Sequence, residues 1–167
     1  MPLQRKNRVE QLSFRYATER NCGLILRFIQ ELANYEKRSG EVVATPELLR
    51  EWIFEKKKAE VIFACVGERE IGFALFFHNF STFLERAGLY LEDLFVLPEF
   101  RGKGYGKAIL KELARIAVER GCGRLEWACL DWNRPSIDFY LSLNVQPMNA
   151  WTMYRLTGET LQALAQG

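Results

Sequence analysis

Apolar residues recur at helical spacing near the start of the chain. Leu24, Ile25, Phe28, Ile29 and Leu32 share one face, and Thr18 or Asn21 stands where a capping residue belongs. Before them, Leu12 to Tyr16 alternates and reads as a strand. A second short helix opens at Thr45-Pro46, a capping residue followed by proline at the first helical position, and keeps Leu48, Leu49, Trp52 and Ile53 on a stripe. Val61 to Val66 and Ile71 to Phe77 are β-branched and aromatic runs flanking Gly67-Glu68-Arg69-Glu70, the pattern of a hairpin. Asn79 to Gly88 reads as loop, and Leu89 to Leu97 as the next strand, ended by Pro98. The long helix Gly104 to Arg120 points Ile109, Leu110, Leu113, Ile116 and Ala117 inward and stops at Gly121. Arg124 to Leu130 is a strand, Pro135 to Leu143 a helix, and Trp151 to Leu156 a last strand before a short helix capped by Thr157. The predicted order is β-α-α-β-β-β-α-β-α-β, an α/β sheet with mixed strand directions.

A chain of 167 residues fits one domain, residues 1–167, since domains commonly run from ~100 to ~200 residues, and no repeat or linker divides it. Residues 1–10 are expected to be disordered. Hydrophobic residues make up 49% and charged residues 26%, which argues for a packed core rather than disorder. The net charge of +2 is too small to argue for a nucleic-acid or membrane partner, and neither is expected. Cys22, Cys65, Cys122 and Cys129 show no C-x-x-C spacing, and His78 is the one histidine, so no metal is expected. Four reduced, mostly buried thiols suggest a cytoplasmic home. Arg5, Lys6 and Arg8 precede no apolar stretch, so no signal peptide is expected.

The candidate chemistry starts at Arg101-Gly102-Lys103-Gly104-Tyr105-Gly106-Lys107, between a strand and a long helix. Closely spaced glycines let backbone approach a ligand, and the helix start offers unpaired N–H groups and a partial positive charge suited to a pyrophosphate. Arg101, Lys103 and Lys107 add cationic donors. A dinucleotide loop needs G-x-G-x-x-G, whereas these glycines alternate; a Walker loop needs Ser or Thr after the lysine, and Ala108 follows Lys107. Taken alone, the segment is also compatible with a flexible basic loop.

The loop carries the Arg-x-x-Gly-x-Gly signature of the GNAT N-acetyltransferase superfamily. Tyr90-Leu91-Glu92-Asp93-Leu94-Phe95-Val96 resembles a strand of its diamine/polyamine (spermidine/spermine) and thialysine N-acetyltransferase subfamily. Asp131-Trp132-Asn133-Arg134-Pro135-Ser136-Ile137-Asp138-Phe139-Tyr140 resembles that subfamily's second motif, and Ile29-Gln30-Glu31-Leu32-Ala33-Asn34-Tyr35-Glu36 its first helix. The segments occur in matching order over about two-thirds of the chain. The resemblance implies the GNAT fold, a central mixed, mostly antiparallel β-sheet flanked by helices, with acetyl-CoA as co-substrate. It further implies a homodimer and transfer of the acetyl group by direct attack of a small cationic primary amine, a diamine, polyamine or lysine-like acceptor. Arg101 to Lys107 would hold the pyrophosphate and pantetheine, with Asn133, Ser136 and Tyr140 as further cofactor contacts. After Tyr140 the run Leu141-Ser142-Leu143-Asn144 replaces the basic residues and glycine that the polyamine enzymes carry.

Three chemical demands assign the remaining roles. A lysine-like amine has a pKa of about 10.4 and must lose a proton before it attacks, a task for Glu92. The thioester oxygen gains charge and needs donors, for which the backbone N–H groups of Leu94, Phe95 and Val96 are candidates. The departing thiolate takes a proton, which the phenol of Tyr140 can supply. Glu36, Glu92 and Asp93 are the acidic residues matching the family's cation site, with Trp151 as an aromatic wall. Consecutive residues of a regular strand point to opposite faces, so Glu92 and Asp93 serve one site only across a bulge, which the family has here. Without the resemblance, the two acids read as a polar face and Tyr140 as a core aromatic beside Phe139. Two other classes remain open, a protein lysine or N-terminal acetyltransferase and a non-catalytic acetyl-CoA-binding module.

Overall fold

A computed structural model describes residues 11–167, so the expected disorder of residues 1–10 lies outside the described residues. The chain divides into two compact units, one ending at Ala128 and the other Cys129–Gly167.

The first unit is built on a five-stranded sheet in sequence order: β1 (Leu12–Tyr16), β2 (Glu60–Val66), β3 (Arg69–Ser81), β4 (Arg86–Val96) and β5 (Leu125–Trp127). Neighbours from β1 to β4 run antiparallel, and β5 joins β4 in parallel. The mixed, mostly antiparallel sheet is the one expected. The helices are α1 (Cys22–Tyr35), α2 (Pro46–Leu49) and α3 (Tyr105–Glu119). Local signals explain their ends. The Thr45 hydroxyl accepts from Leu48 N–H at 3.2 Å, and Gly121, at φ +69°, allows the left-handed stop after α3. After α2 the helix continues through Arg50–Glu55 as a wider, π-type turn.

Packing covers both faces of the sheet. On one, Ile25 and Phe28 of α1 and Ile53 pack on Val61, Phe63, Cys65, Phe73 and Phe95. The Phe28 and Phe73 rings stack at 5.2 Å. Burying an aromatic side chain stabilises by roughly 1.5–3 kcal/mol, so this cluster anchors α1 to the sheet. On the other face α3 lies against β3, β4 and β5 with Ile109, Leu113 and Ile116 buried. The predicted inward stripe of α3 is the observed one.

Three expectations need correction. Asn79 to Gly88 is not all loop, because the β3–β4 ladder runs on to Ser81↔Arg86 and leaves only residues 82–85 as the turn. Cross-strand pairing outweighs the low strand preference of Asn and Gly there. β5 is shorter than Arg124 to Leu130, since its ladder with β4 ends at Leu91↔Trp127. Trp151 to Leu156 has strand-like residues but forms no strand. A strand exists only where a ladder partner satisfies its backbone, and none pairs with it among the described residues.

The second unit holds α4 (Arg134–Leu141) and α5 (Gly158–Gln166) joined by an irregular segment. Asn144, at φ +60°, supplies the left-handed residue expected after α4. Among the described residues, no helix is long and apolar enough to cross a membrane.

Candidate functional site

The β3–β4 register slips between Leu75, which faces Asp93, and Phe76, which faces Leu91. Glu92 is therefore an additional residue with no partner on β3. One additional residue reverses the alternation beyond it. Leu91 pairs with Phe76 on the α3 side, whereas Asp93 pairs with Leu75, which packs against the α1-side core. Glu92 and Asp93 thus share the α1 side. Regular alternation would have separated them, and the bulge that the resemblance called for is present.

The charge on that side is concentrated. Burial first, then the Glu92 and Glu36 carboxylates, together push the Asp93 carboxyl up from 3.8 to about 6. Glu36 caps the C-terminal end of α1, where its N–H donates to Leu32 O at 2.9 Å. The Arg38 guanidinium is a loose 3.9 Å from it and is committed to Glu41 at 2.5 Å. Beside the bulge, burial raises the Tyr90 phenol, with smaller contributions from Glu92 and Glu126. Tyr90 stands opposite Glu126 in the parallel ladder. Glu126 is itself paired with Arg124 at 2.7 Å and accepts from Asn79 at 3.1 Å, a neighbourhood whose only signal is a strand register that the sequence does not carry.

Beyond Leu91, β4 has no partner on its β5 side among the described residues. Leu97 N–H donates to Ile71 O of β3 at 2.8 Å. Antiparallel ladders turn every second residue's N–H and C=O to the same neighbour. Phe95 therefore faces β3 as Leu97 does, and the N–H groups of Leu94 and Val96 turn to the unpaired edge. Their side chains belong to the packed interior or its margin, so the edge is a backbone site.

The loop that follows leads into α3. Gly104 is its N-terminal cap at φ +82°, a backbone that a side chain would strain, and no side chain caps the helix. The first turn carries no acidic residue. A Cβ at Gly102, Gly104 or Gly106 would meet no protein atom within 4 Å. Free N–H groups, a positive helix end and open space together suit a pyrophosphate. Lys107 is exposed in this first turn, and Lys103 lies with its Nζ 5.5 Å from the Phe100 ring. The Tyr105 ring packs near Phe100 at 6.2 Å. Arg101 is engaged differently: its Nε donates to Val96 O at 3.0 Å, and its guanidinium lies over the Phe95 and Tyr35 rings, 4.9 Å from each.

Glu36, Glu92, Asp93, the free β4 edge and the glycine loop therefore belong to one unit. Asn133, Ser136, Tyr140 and Trp151 belong to the other. There, buried Asn133 caps α4 by accepting from Ser136 N–H at 3.4 Å, and Tyr140 packs its ring on Phe139 at 5.4 Å. Trp151 lies in the irregular segment and is 77% exposed. Among the described residues no cluster of His, Cys, Asp and Glu could hold a metal ion.

Residues 26–144 match the family described as Acetyltransferase (GNAT) family. The thialysine N-epsilon-acetyltransferase of Bos taurus is 39% identical over 163 residues, covering 90% of this chain and 95% of its own. An L-ornithine N5-acetyltransferase of Arabidopsis thaliana is 45% identical over 93 residues, 56% of this chain and 41% of its own. Among solved structures, an integron cassette protein from the mobile metagenome of V. cholerae superposes with a TM-score of 0.78 at 28% identity, covering 93% of this chain and 98% of its own.

Proposed function

This chain belongs to the GNAT acetyltransferase family and is an acetyl-CoA-dependent N-acetyltransferase acting on small amines, and from that premise we propose that its acceptor is a small amine with a second cationic group. Thialysine, lysine-like amino acids and short diamines are the class. The observation that carries the reading is the bulge at Glu92, which puts Glu92 and Asp93 on one side with Glu36. A cation placed among these carboxylates gains charge-assisted contacts, each contributing roughly 1.5–3 kcal/mol. The names of the relatives, thialysine and ornithine acetyltransferases, fit that chemistry.

Acetyl-CoA brings an activated thioester, and the residues of this chain do the rest. The backbone of Gly102–Gly106 and the start of α3 receive the pyrophosphate, with Lys103 and Lys107 adding charge. Asn133 and Ser136 add cofactor contacts at α4. The free N–H groups of Leu94 and Val96 bind the pantetheine and the thioester oxygen as it gains charge. Glu92 accepts the amine proton, directly or through water. Tyr140 gives a proton to the departing thiolate. Glu36 and Asp93 hold the acceptor's second cation, and Trp151 offers it an aromatic face.

Both units form one catalytic domain in this reading, which is supported by a family match that crosses the division at Ala128. The enzyme works as a homodimer in the cytoplasm, as its resemblance and its free cysteines suggest.

A steady-state screen of mono- and dicationic amines against lysine-bearing and N-terminal peptides, at fixed acetyl-CoA, tests the acceptor. Preference for dicationic small amines, weakened by salt, is expected. Equal use of mono- and dicationic amines without salt dependence would sink the acceptor reading, and preference for peptides would make this a protein acetyltransferase.

A further inference from the structure

We propose that Arg101 is a positioning residue: its guanidinium fastens the Tyr35–Glu36 end of α1 to the free edge of β4 and so sets where Glu36 meets the acceptor's second cation. This rests on the acceptor reading. The glycine-loop signature alone makes Arg101 a cationic donor to phosphate. Its side chain, although exposed, is instead held against the protein. Nε donates to Val96 O at 3.0 Å, and the guanidinium lies 4.9 Å from the centroids of both Phe95 and Tyr35.

Each contact has a consequence. Val96 turns its carbonyl to the unpaired edge, where it would otherwise stand as an unmatched acceptor beside the donors of Leu94 and Val96. With Arg101 on it, the edge presents donors. Phe95 is 4% exposed and fixed in the core, so it is the rigid side of the stack. Tyr35 is the last residue of α1, and Glu36 follows it directly. A planar guanidinium can stack and donate in this way; a lysine ammonium cannot. A lysine can still serve as a point charge for phosphate. The two roles therefore separate on one substitution.

The experiment compares Arg101→Lys, Tyr35→Leu, the double variant and Tyr35→Phe, using a short diamine and both acetyl-CoA and acetyl-pantetheine as donors. Tyr35→Leu should raise the diamine KM about fivefold or more, with kcat and acetyl-CoA affinity within about twofold of the parent; Arg101→Lys should raise the diamine KM as much and, because it also uncovers Val96 O, should lower kcat with acetyl-CoA and acetyl-pantetheine alike. The double variant should be no worse in diamine KM than either single one, because they remove one shared contact. Tyr35→Phe, which keeps the ring, should raise the diamine KM less than Tyr35→Leu does. The rise should persist with acetyl-pantetheine, which has no pyrophosphate. A loss that appears in acetyl-CoA affinity and vanishes with acetyl-pantetheine would make Arg101 a phosphate ligand, and additive effects would separate it from Tyr35. A second readout needs no acceptor: Glu36 helps raise Asp93, so releasing α1 should move the Asp93 carbon-13 titration to lower pH. An unchanged titration in both variants overturns the proposal even if the diamine preference itself fails.

Discussion

Asp93→Asn should stabilise the protein while weakening its acceptor site. In the folded chain the Asp93 carboxyl is pushed up from 3.8 to about 6, by burial first and then by Glu92 and Glu36. The difference of about two pH units corresponds to about 3 kcal/mol, an upper figure because binding-site water and counterions offset part of it. The sign follows from proton uptake. Between about pH 4 and 6 the folded carboxyl holds its proton and the unfolded one does not, so stability falls as pH rises through that window and stays lower above it. Asparagine removes the ionisation and keeps the size. The variant should exceed the parent by about 1.5–3 kcal/mol at pH 8 and by about a third of that near pH 4.5. At about 2–4 °C per kcal/mol for a chain of this size, the melting temperature should rise by roughly 3–12 °C at pH 8. The diamine KM should rise at least tenfold, the equivalent of one charge-assisted contact of about 1.5 kcal/mol. Melting curves recorded from pH 4.5 to 8, with acceptor kinetics at pH 8, provide the check. Parent and variant melting temperatures that run parallel across the whole range would refute the buried, mutually repelling carboxylates.

Gly106→Val tests the anion cradle: its Cβ meets no protein atom, so folding should survive while CoA affinity by calorimetry falls at least tenfold, about 1.4 kcal/mol, and unchanged affinity would count against the loop. Tyr140→Phe keeps the ring packed on Phe139 and should cut turnover by roughly 10²–10⁴-fold with little change in acetyl-CoA affinity; near-parental turnover would return Tyr140 to a packing role. Glu36→Gln should raise the KM for a diamine more than for a monoamine of equal length, with kcat less affected, and an equal effect on both would remove Glu36 from the acceptor site.

Much of this protein follows from local rules. The stripe Leu24, Ile25, Phe28, Ile29 and Leu32 forms α1, Thr45-Pro46 starts α2, and Gly104 and Gly121 bracket α3, because caps, proline and left-handed residues act over a few positions. The glycine loop was readable as a possible anion site from its alternating glycines and cations, whereas the roles of the acidic pair and of the Asn133 to Tyr140 motif came from the resemblance to the GNAT superfamily. Register was not. The ladder that carries β3 and β4 through Asn79 and Gly88, the absent strand at 151–156 and the parallel placement of β5 all depend on which distant backbone offers a partner. A one-residue slip at Glu92 leaves no mark in composition or periodicity, yet it brings Glu92 and Asp93 to the same side of the sheet. Arg101 shows the same division. Its place in the loop was legible, but its stack between Phe95 and Tyr35 exists only because folding brings α1, the end of β4 and the loop to one point. Residue types supply the donors, acids and rings; tertiary packing decides which of them meet, because a side chain's partner is chosen by space and not by sequence distance.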